Sequence, residues 1–258
     1  MIRLAHLLAA LAIIAVPALG WFVDGWSGAT TLVVYWFETL AGSLIIAARI
    51  MVHRRWAPKR GHYRYVASAT TRRSPSSSSF AAGFLMTSLI FTAVHGLFLA
   101  AIVFLLGRNG QPELAEINWR SVGYGCAAVV AFMCVDFAVD LLSLRRWSFW
   151  QIEQTAQRGF SRVVVVHLTL IFGMFGVAIT GASSALFGVF VVLKSLASLS
   201  FVLPQWEPAR PPRWLSRVMN RVPNVHPGER FEDFWAKDRD DERARRERNE
   251  EHWEPTRR

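Results

Sequence analysis

The sequence predicts an all-α protein, a polytopic transmembrane helical bundle of about six spans. Hydrophobic residues make up 52% of the 258 residues, and they are concentrated in long apolar runs. Each run has roughly 20 residues, enough to cross a ~30 Å hydrocarbon core at ~1.5 Å per residue. The expected spans are residues 4–23, 29–51, 82–106, 121–144, 163–181 and 185–203.

The distribution of Lys and Arg predicts the orientation of these spans. Of the 29 Lys and Arg, 8 lie in residues 49–80, 4 in 143–162 and 13 in 204–258. The connections on the other side hold two in residues 107–120 and none in the two short turns. Basic connections stay in the cytoplasm. We therefore expect both termini in the cytoplasm and a multi-pass protein of an inner (cytoplasmic) membrane.

The net charge of +10 arises from these flanking segments. Basic segments beside a membrane attract anionic lipid head groups, so the expected partners are the bilayer and those head groups. Nucleic acid is not an expected partner, because the tail mixes both charges and lacks an aromatic-interleaved basic patch. The sequence leaves the oligomeric state open.

Composition divides the chain into a membrane domain and a tail. Residues 1–203 are expected to form the six-helix transmembrane domain, with residues 52–80 as a disordered basic, Ser-rich loop. Residues 204–258 are expected to form a basic, mixed-charge cytoplasmic tail. The first run also resembles a signal peptide, but it continues into Trp21 without a polar region.

Six ionisable side chains within the apolar runs form the candidate polar cluster, because an unpartnered charge there is costly. They are Glu38, His95, Asp136, Asp140, His167 and Lys194. Counting residues along each span places them as a polar column from the midplane to the cytoplasmic face. Lys194 and Asp136 fall at a similar depth, so we expect an ion pair between spans four and six.

Glu38, His95 and His167 are the candidate metal ligands. Carboxylate and imidazole groups suit zinc, manganese or iron, and two histidines could ligate haem. The same groups could form a proton relay, or simply hydrogen-bond between helices. Tyr35 and Trp36 lie beside Glu38 and could donate hydrogen bonds to it. HExxH and CxxC patterns are absent, so no metal pattern selects among these interpretations.

Several short motifs occur in a fixed order along the chain. They are Tyr35-Trp36-Phe37-Glu38, Val94-His95-Gly96, Arg162 to His167 (RVVVVH) and Leu193-Lys194. This set resembles a family of prokaryotic multi-pass integral membrane proteins of unassigned function, over about residues 5–203. The resemblance implies a set of signature polar residues: Trp36, Glu38, His95, Arg162, His167 and Lys194. The chain departs from the family pattern at Thr87, where a His is usual, and at Ser198, where an Asp is usual. The resemblance implies fold and membrane location, and no activity.

Three functions are compatible with this pattern. The leading hypothesis is a small transporter or channel-like protein that uses Glu38, His95 and Lys194. The second is an intramembrane metal- or haem-binding protein or redox enzyme that ligates through Glu38, His95 and His167. The third is a non-catalytic membrane scaffold. No cofactor is expected under the first and third hypotheses, and the sequence does not decide whether the protein is an enzyme.

Overall fold

The computed structural model describes residues 2–67, 79–108, 112–161, 191–196, 208–222 and 228–254. Every regular element among these residues is helical. The elements are α1 (Ile2–Phe22), α2 (Gly28–Trp56), a 3-10 turn (Arg60–His62), α3 (Phe80–Arg108), α4 (Pro112–Ala115), α5 (Trp119–Leu144), α6 (149–161), α7 (191–196), α8 (Arg213–Met219) and α9 (Phe231–Glu250). Within the described ranges the only strand-like pairing is an isolated bridge between Lys59 and His252. The all-α prediction is confirmed for this part of the chain.

Four helices among the described residues are long and apolar enough to cross a membrane. They cover Leu4–Phe22, Gly28–Trp56, Phe80–Arg108 and Glu113–Leu144, and they correspond to the first four expected spans. The fifth expected span, 163–181, lies outside the described residues. The sixth, 185–203, also lies outside them except for the helical residues 191–196.

Helix α2 is the central element of the four. Sixteen of its 29 residues are buried, compared with seven of 29 in α3. One side of α2 packs against α1 and α5 through a cluster that includes Val34, Ile13 and Val129. The other side packs against α3 and α7 through a second cluster that includes Tyr35 and Leu99. A helix buried on two sides has little exposed surface, so the charged and hydroxyl side chains of α2 from Thr30 to Arg49 are buried in protein.

Two glycines allow a tryptophan to pack between helices. The indole of Trp26, in the turn between α1 and α2, lies against Gly20 of α1 and Gly125 of α5. A Cβ atom at Gly20 would lie 2.3 Å from the ring, and one at Gly125 would lie 2.7 Å from it. The close approach of α1, α5 and the turn therefore requires glycine at both positions.

The N-terminus of α2 is tied to the loop before α5 by side-chain hydrogen bonds. Ser27 caps α2 by accepting a bond from the Thr30 amide at 3.0 Å. The Ser27 hydroxyl also donates to the Glu116 carbonyl, and the Asn118 amide donates to the Thr30 hydroxyl at 3.0 Å. These bonds satisfy polar groups that would otherwise be left unpaired at a helix end.

The chain forms two compact units. The first takes its described residues from Met1–Ala57, Ala81–Trp147 and Gln151–Leu203. The second, called the tail unit below, takes them from Pro58–Phe80, Ser148–Trp150 and Pro204–Arg258.

Part of the expected disordered loop at 52–80 is folded, since residues 52–67 are described and residues 68–78 lie outside the described residues. Helix α2 continues to Trp56, and residues 58–67 pack within the tail unit. There Asn249 of α9 accepts a bond from the Val66 amide at 3.0 Å and donates to the Val66 carbonyl at 2.9 Å. The Phe149 ring packs edge-on to His62, with ring centroids 5.0 Å apart. Residues 58–67 cannot form a core alone, and α9 of the tail supplies their hydrogen-bond partners. The composition of residues 58–67 does not indicate these partners.

Candidate functional site

A buried ion pair joins α2 to α7. The Lys194 ammonium donates to the Glu38 carboxylate, and both residues are only 3% exposed. The Lys194 Nζ atom also lies 3.5 Å from the centroid of the Tyr35 ring. A cation over an aromatic face is attracted by the ring's negative charge. The buried ammonium group therefore has two favourable neighbours, the Glu38 carboxylate and the Tyr35 ring.

Helix periodicity brings Tyr35 and Glu38 to the same cation. Residues three apart in a helix are neighbours on one face, so both side chains of α2 face Lys194. The hydroxyls of the next turns, Thr39 and Ser43, donate instead to carbonyls of their own helix at 3.1 and 2.9 Å. Glu38 lies ~15 Å along the helix axis from the first residue of α2 at ~1.5 Å per residue. Glu38 therefore lies in the interior of α2, away from both helix ends.

A second ionic cluster joins α1, α2 and α5. Arg49 of α2 lies between two carboxylates of α5, at 2.5 Å from Asp136 Oδ2 and 2.6 Å from Asp140 Oδ2. His6 of α1 faces the other oxygens of the same carboxylates, at 2.7 Å from Asp136 Oδ1 and 3.4 Å from Asp140 Oδ1. The two aspartates are four residues apart and therefore share one face of α5. The ion pairs of this cluster therefore hold α1, α2 and α5 together.

The predicted ion pair between Lys194 and Asp136 is wrong. Lys194 pairs with Glu38, and Asp136 pairs with Arg49 and His6. The sequence interpretation assigned Arg49 to the basic connection after the second span, which left Asp136 without a cation except Lys194. Arg49 is in fact buried in α2, because two aspartates offset the cost of burying its charge.

Arg49 and His6 are the site residues that the sequence interpretation missed. A signal for Arg49 exists, since it lies within residues 29–51, eleven residues after Glu38 and about three helical turns away. His6 gives a weaker signal, because a single histidine near the start of an apolar run carries no pattern. Both positions pair through contacts between helices, which periodicity within one helix does not predict.

Trp36 and His95 both contribute to the packing of α2 and α3. The Trp36 indole nitrogen donates to the Thr92 carbonyl at 2.9 Å, so this N–H is not directed at Glu38. A Cβ atom at Gly96 would lie 3.0 Å from that nitrogen, which explains a glycine beside His95. His95 is 1% exposed. Arg162 and His167 lie outside the described residues, so the Glu38–His95–His167 ligand set stays a prediction.

The cluster of His6, Asp136 and Asp140 also has the composition of a metal site. Each residue offers one ligand atom, and these atoms lie within 4.8 Å of one another. Imidazole and carboxylate ligands suit first-row divalent cations. Arg49 already neutralises one of the two negative charges, which reduces the attraction for a cation.

These features define an all-helical protein with several apolar helices compatible with a membrane and with buried ionic groups between them. The chain belongs to a family of unknown function (DUF6498), whose model matches residues 1–213. The matched region contains α1 to α7 and both ionic clusters, and it ends at the first residue of α8. No curated protein and no solved structure matches the chain.

Proposed function

We propose that the protein is a multi-pass protein of the cytoplasmic membrane that acts as a small transporter or channel-like protein. Its six spans would place both termini in the cytoplasm. The observation that carries the proposal is the buried pair of Glu38 and Lys194 in the interior of apolar helices. Intramembrane ionisable pairs are expensive, and transport proteins use them along ion and proton paths.

The pair can work by exchange of partners. A proton on Glu38 removes the carboxylate charge and frees the Lys194 ammonium to bind a small anion. Loss of that proton restores the pair and displaces the anion. The Tyr35 ring stabilises the ammonium in either state, because its contact does not depend on the carboxylate. Proton movement would thus be coupled to binding of a second ion.

The second cluster supports this mechanism by holding the surrounding helices. Arg49, His6 and the two aspartates join α1, α2 and α5, whereas the Glu38–Lys194 pair joins α2 to α7. The Arg49 cluster would hold the helices in place, and the Glu38–Lys194 pair would change partners during transport. His95 belongs to α3, which packs on the same side of α2 as Tyr35.

Proton flux in reconstituted vesicles tests the proposal. Purified protein is placed in vesicles with an entrapped pH-sensitive dye, and an outward pH gradient is imposed. We expect flux that is abolished by Glu38→Gln and by Lys194→Met. Glu113→Gln is the matched control, since Glu113 is an exposed carboxylate of the short helix α4. Flux in none of the proteins, or equal flux in all four, would contradict the proposal.

A second candidate function, metal binding, is favoured by the arrangement of His6, Asp136 and Asp140. Elemental analysis of the detergent-purified protein separates it from transport. Metal lost on His6→Ala would assign this cluster, and metal lost only on His95→Ala would assign the set of Glu38, His95 and His167. If the protein carries neither metal nor flux, the scaffold hypothesis is left.

A further inference from the structure

A cavity of about 550 Å³ lies within the tail unit, between α8 and the beginning of α9. Cationic, polar and aromatic side chains line it. They include Arg210, Arg213, Arg217, Ser216, Asn220 and Trp235. None of these residues belongs to either ionic cluster of the first unit.

The lining carries a net positive charge. Three arginines line the cavity, and among the described residues none of their guanidinium groups takes part in a hydrogen bond or ion pair. One carboxylate, Glu232, also lines it and accepts a bond from the Asn220 amide nitrogen at 3.1 Å. That bond, the largest influence on the group, lowers the pKa of Glu232, so it stays ionised. Three positive charges against one negative leave an excess of two.

One residue that lines the same cavity carries an unsatisfied donor. The indole nitrogen of Trp235 is buried, and it has no acceptor among the described residues. A buried N–H without an acceptor is costly. An anionic ligand with several oxygens would supply the acceptor that Trp235 lacks and the negative charge that the three arginines lack.

The surroundings of the cavity are those of a segment at a membrane surface. Trp214 and Val218 are exposed on one face of α8, 65% and 52% respectively, and Phe234 of α9 is exposed as well. Exposed aromatic and aliphatic groups among arginines are typical of interfacial helices. The last expected span ends at residue 203, ten residues before the first residue of α8.

We propose that this cavity binds a phosphate group, carried by an anionic phospholipid at the membrane surface. Guanidinium groups match phosphate oxygens with paired hydrogen bonds, and the Trp235 N–H donates to a further oxygen. Glu232 and Asn220 line the same cavity and suit hydroxyl groups of the head group. The site stands on the tail unit alone and does not depend on a transport activity.

Ligand titration of the full-length protein in an uncharged detergent tests this site. The probes are short-chain phosphatidylglycerol, short-chain phosphatidylcholine and inorganic phosphate. The double variant R213Q/R217Q removes two lining arginines. The matched control R243Q/R248Q removes two exposed arginines of α9 that do not line the cavity. A further variant, Trp235→Phe, keeps the ring and removes only the N–H.

We expect phosphatidylglycerol to bind more tightly than phosphatidylcholine. R213Q/R217Q should weaken its binding at least about tenfold, because charge-assisted bonds are lost. Trp235→Phe should weaken binding by a smaller factor, and the control pair should change it by less than about twofold. Binding of inorganic phosphate as tight as that of the lipid would support the phosphate site and overturn its assignment to a lipid. Equal losses in both double variants, or no binding of any probe, would overturn the site.

Discussion

At the scale of single residues, two buried cations each have carboxylate partners on a neighbouring helix. Lys194 has one carboxylate and one aromatic ring, whereas Arg49 has two carboxylates and shares them with an imidazole. An arginine presents a fixed fork of donors, which suits two carboxylates on one helix face. A lysine is a compact charge that can exchange one partner for another. The difference in residue type matches the two roles proposed for the clusters.

Replacement of Arg49 tests the role of the second cluster. Arg49→Leu leaves the buried carboxylate of Asp140 and the partly buried carboxylate of Asp136 without their main cation, and it should destabilise the fold by about 3–5 kcal/mol. The additional change Asp140→Asn should recover part of this loss. Thermal unfolding in detergent measures both effects. Arg55→Leu, at an exposed position of the same helix, is the control and should have little effect. Equal stability of the Arg49 and Arg55 variants would contradict the assigned role.

Sequence patterns predict which residues are buried better than they predict which residues pair. Glu38 and Lys194 were both expected inside the bundle, and the structure buries both. Their pairing could not be derived, because depth along a helix is known only to about one turn and the rotation of each helix is unknown. Trp36 shows the same limit, since its neighbour in sequence is Glu38 but its hydrogen-bond acceptor is Thr92 on α3.

At the scale of elements, the packing of α5 against the turn between α1 and α2 depends on a glycine, Gly125. Trp26 occupies the space beside Gly125, and the Val34 side chain of α2 would lie 3.1 Å from a Cβ atom added there. Gly123, two residues earlier in the same helix, has open space around it. Substitutions at these two glycines therefore distinguish a loss of packing, expected at Gly125, from a change in helix propensity, expected at Gly123.

Alanine substitutions at these two glycines should have opposite effects. Gly125→Ala forces Trp26 to move and should cost about 1–3 kcal/mol of stability. Gly123→Ala should stabilise the helix by about 0.5–1 kcal/mol, because alanine has the better helix propensity. The midpoint of thermal unfolding, compared with that of the unsubstituted protein, should fall in Gly125→Ala and rise in Gly123→Ala. Destabilisation by both changes to the same extent would argue against the Trp26 packing.

The contact of α9 with residues 58–67 should weaken at low pH. Burial raises the pKa of Glu242, but hydrogen bonds from Arg245 and Arg246 outweigh it and lower this pKa below its usual value. Arg245 in turn donates to the Val66 carbonyl at 2.9 Å. A lowered carboxyl pKa stabilises the folded state at neutral pH. This contribution is lost as the pH falls below about 4.5, through the range in which Glu242 becomes protonated.

Hydrogen exchange at Val66 measures this dependence. Exchange should accelerate between about pH 5 and pH 3 beyond the intrinsic rate change. In Glu242→Gln it should be faster already at pH 7 and should show less of this acceleration. Asp240→Asn, an exposed carboxylate of the same helix, serves as the control. An unchanged pH profile in Glu242→Gln would show that another group governs this contact.

At the scale of the whole molecule, the class of fold follows from the sequence more reliably than the extent of each part. Long apolar runs specify helices with little ambiguity, and α1, α2, α3 and α5 have ends within about five residues of those expected. Residues 52–80 are expected to form a disordered loop because the segment is basic and Ser-rich, but residues 58–67 have partners in the tail unit. Their partners Asn249 and Arg245 are about 180 residues away in the chain, and no local pattern connects the two segments.

The proposed topology predicts the side of the membrane on which each connection lies. A reporter that is active only in the cytoplasm should be active when fused to the C-terminus and inactive when fused within residues 107–120. The reason is the contrast in Lys and Arg between the tail and that connection. A reversed pattern, or activity at both positions, would require a different number of spans.

The measurement that tests the central claim most directly is a rescue experiment on the buried pair of Glu38 and Lys194. Lys194→Met leaves the Glu38 carboxylate buried without a cation and should lower stability by about 3–5 kcal/mol. Adding Glu38→Gln should restore most of this loss in thermal unfolding of the purified protein, whereas adding Asp136→Asn should restore none. Restoration by Asp136→Asn instead, or no loss in Lys194→Met alone, would contradict the pairing on which the proposed function rests.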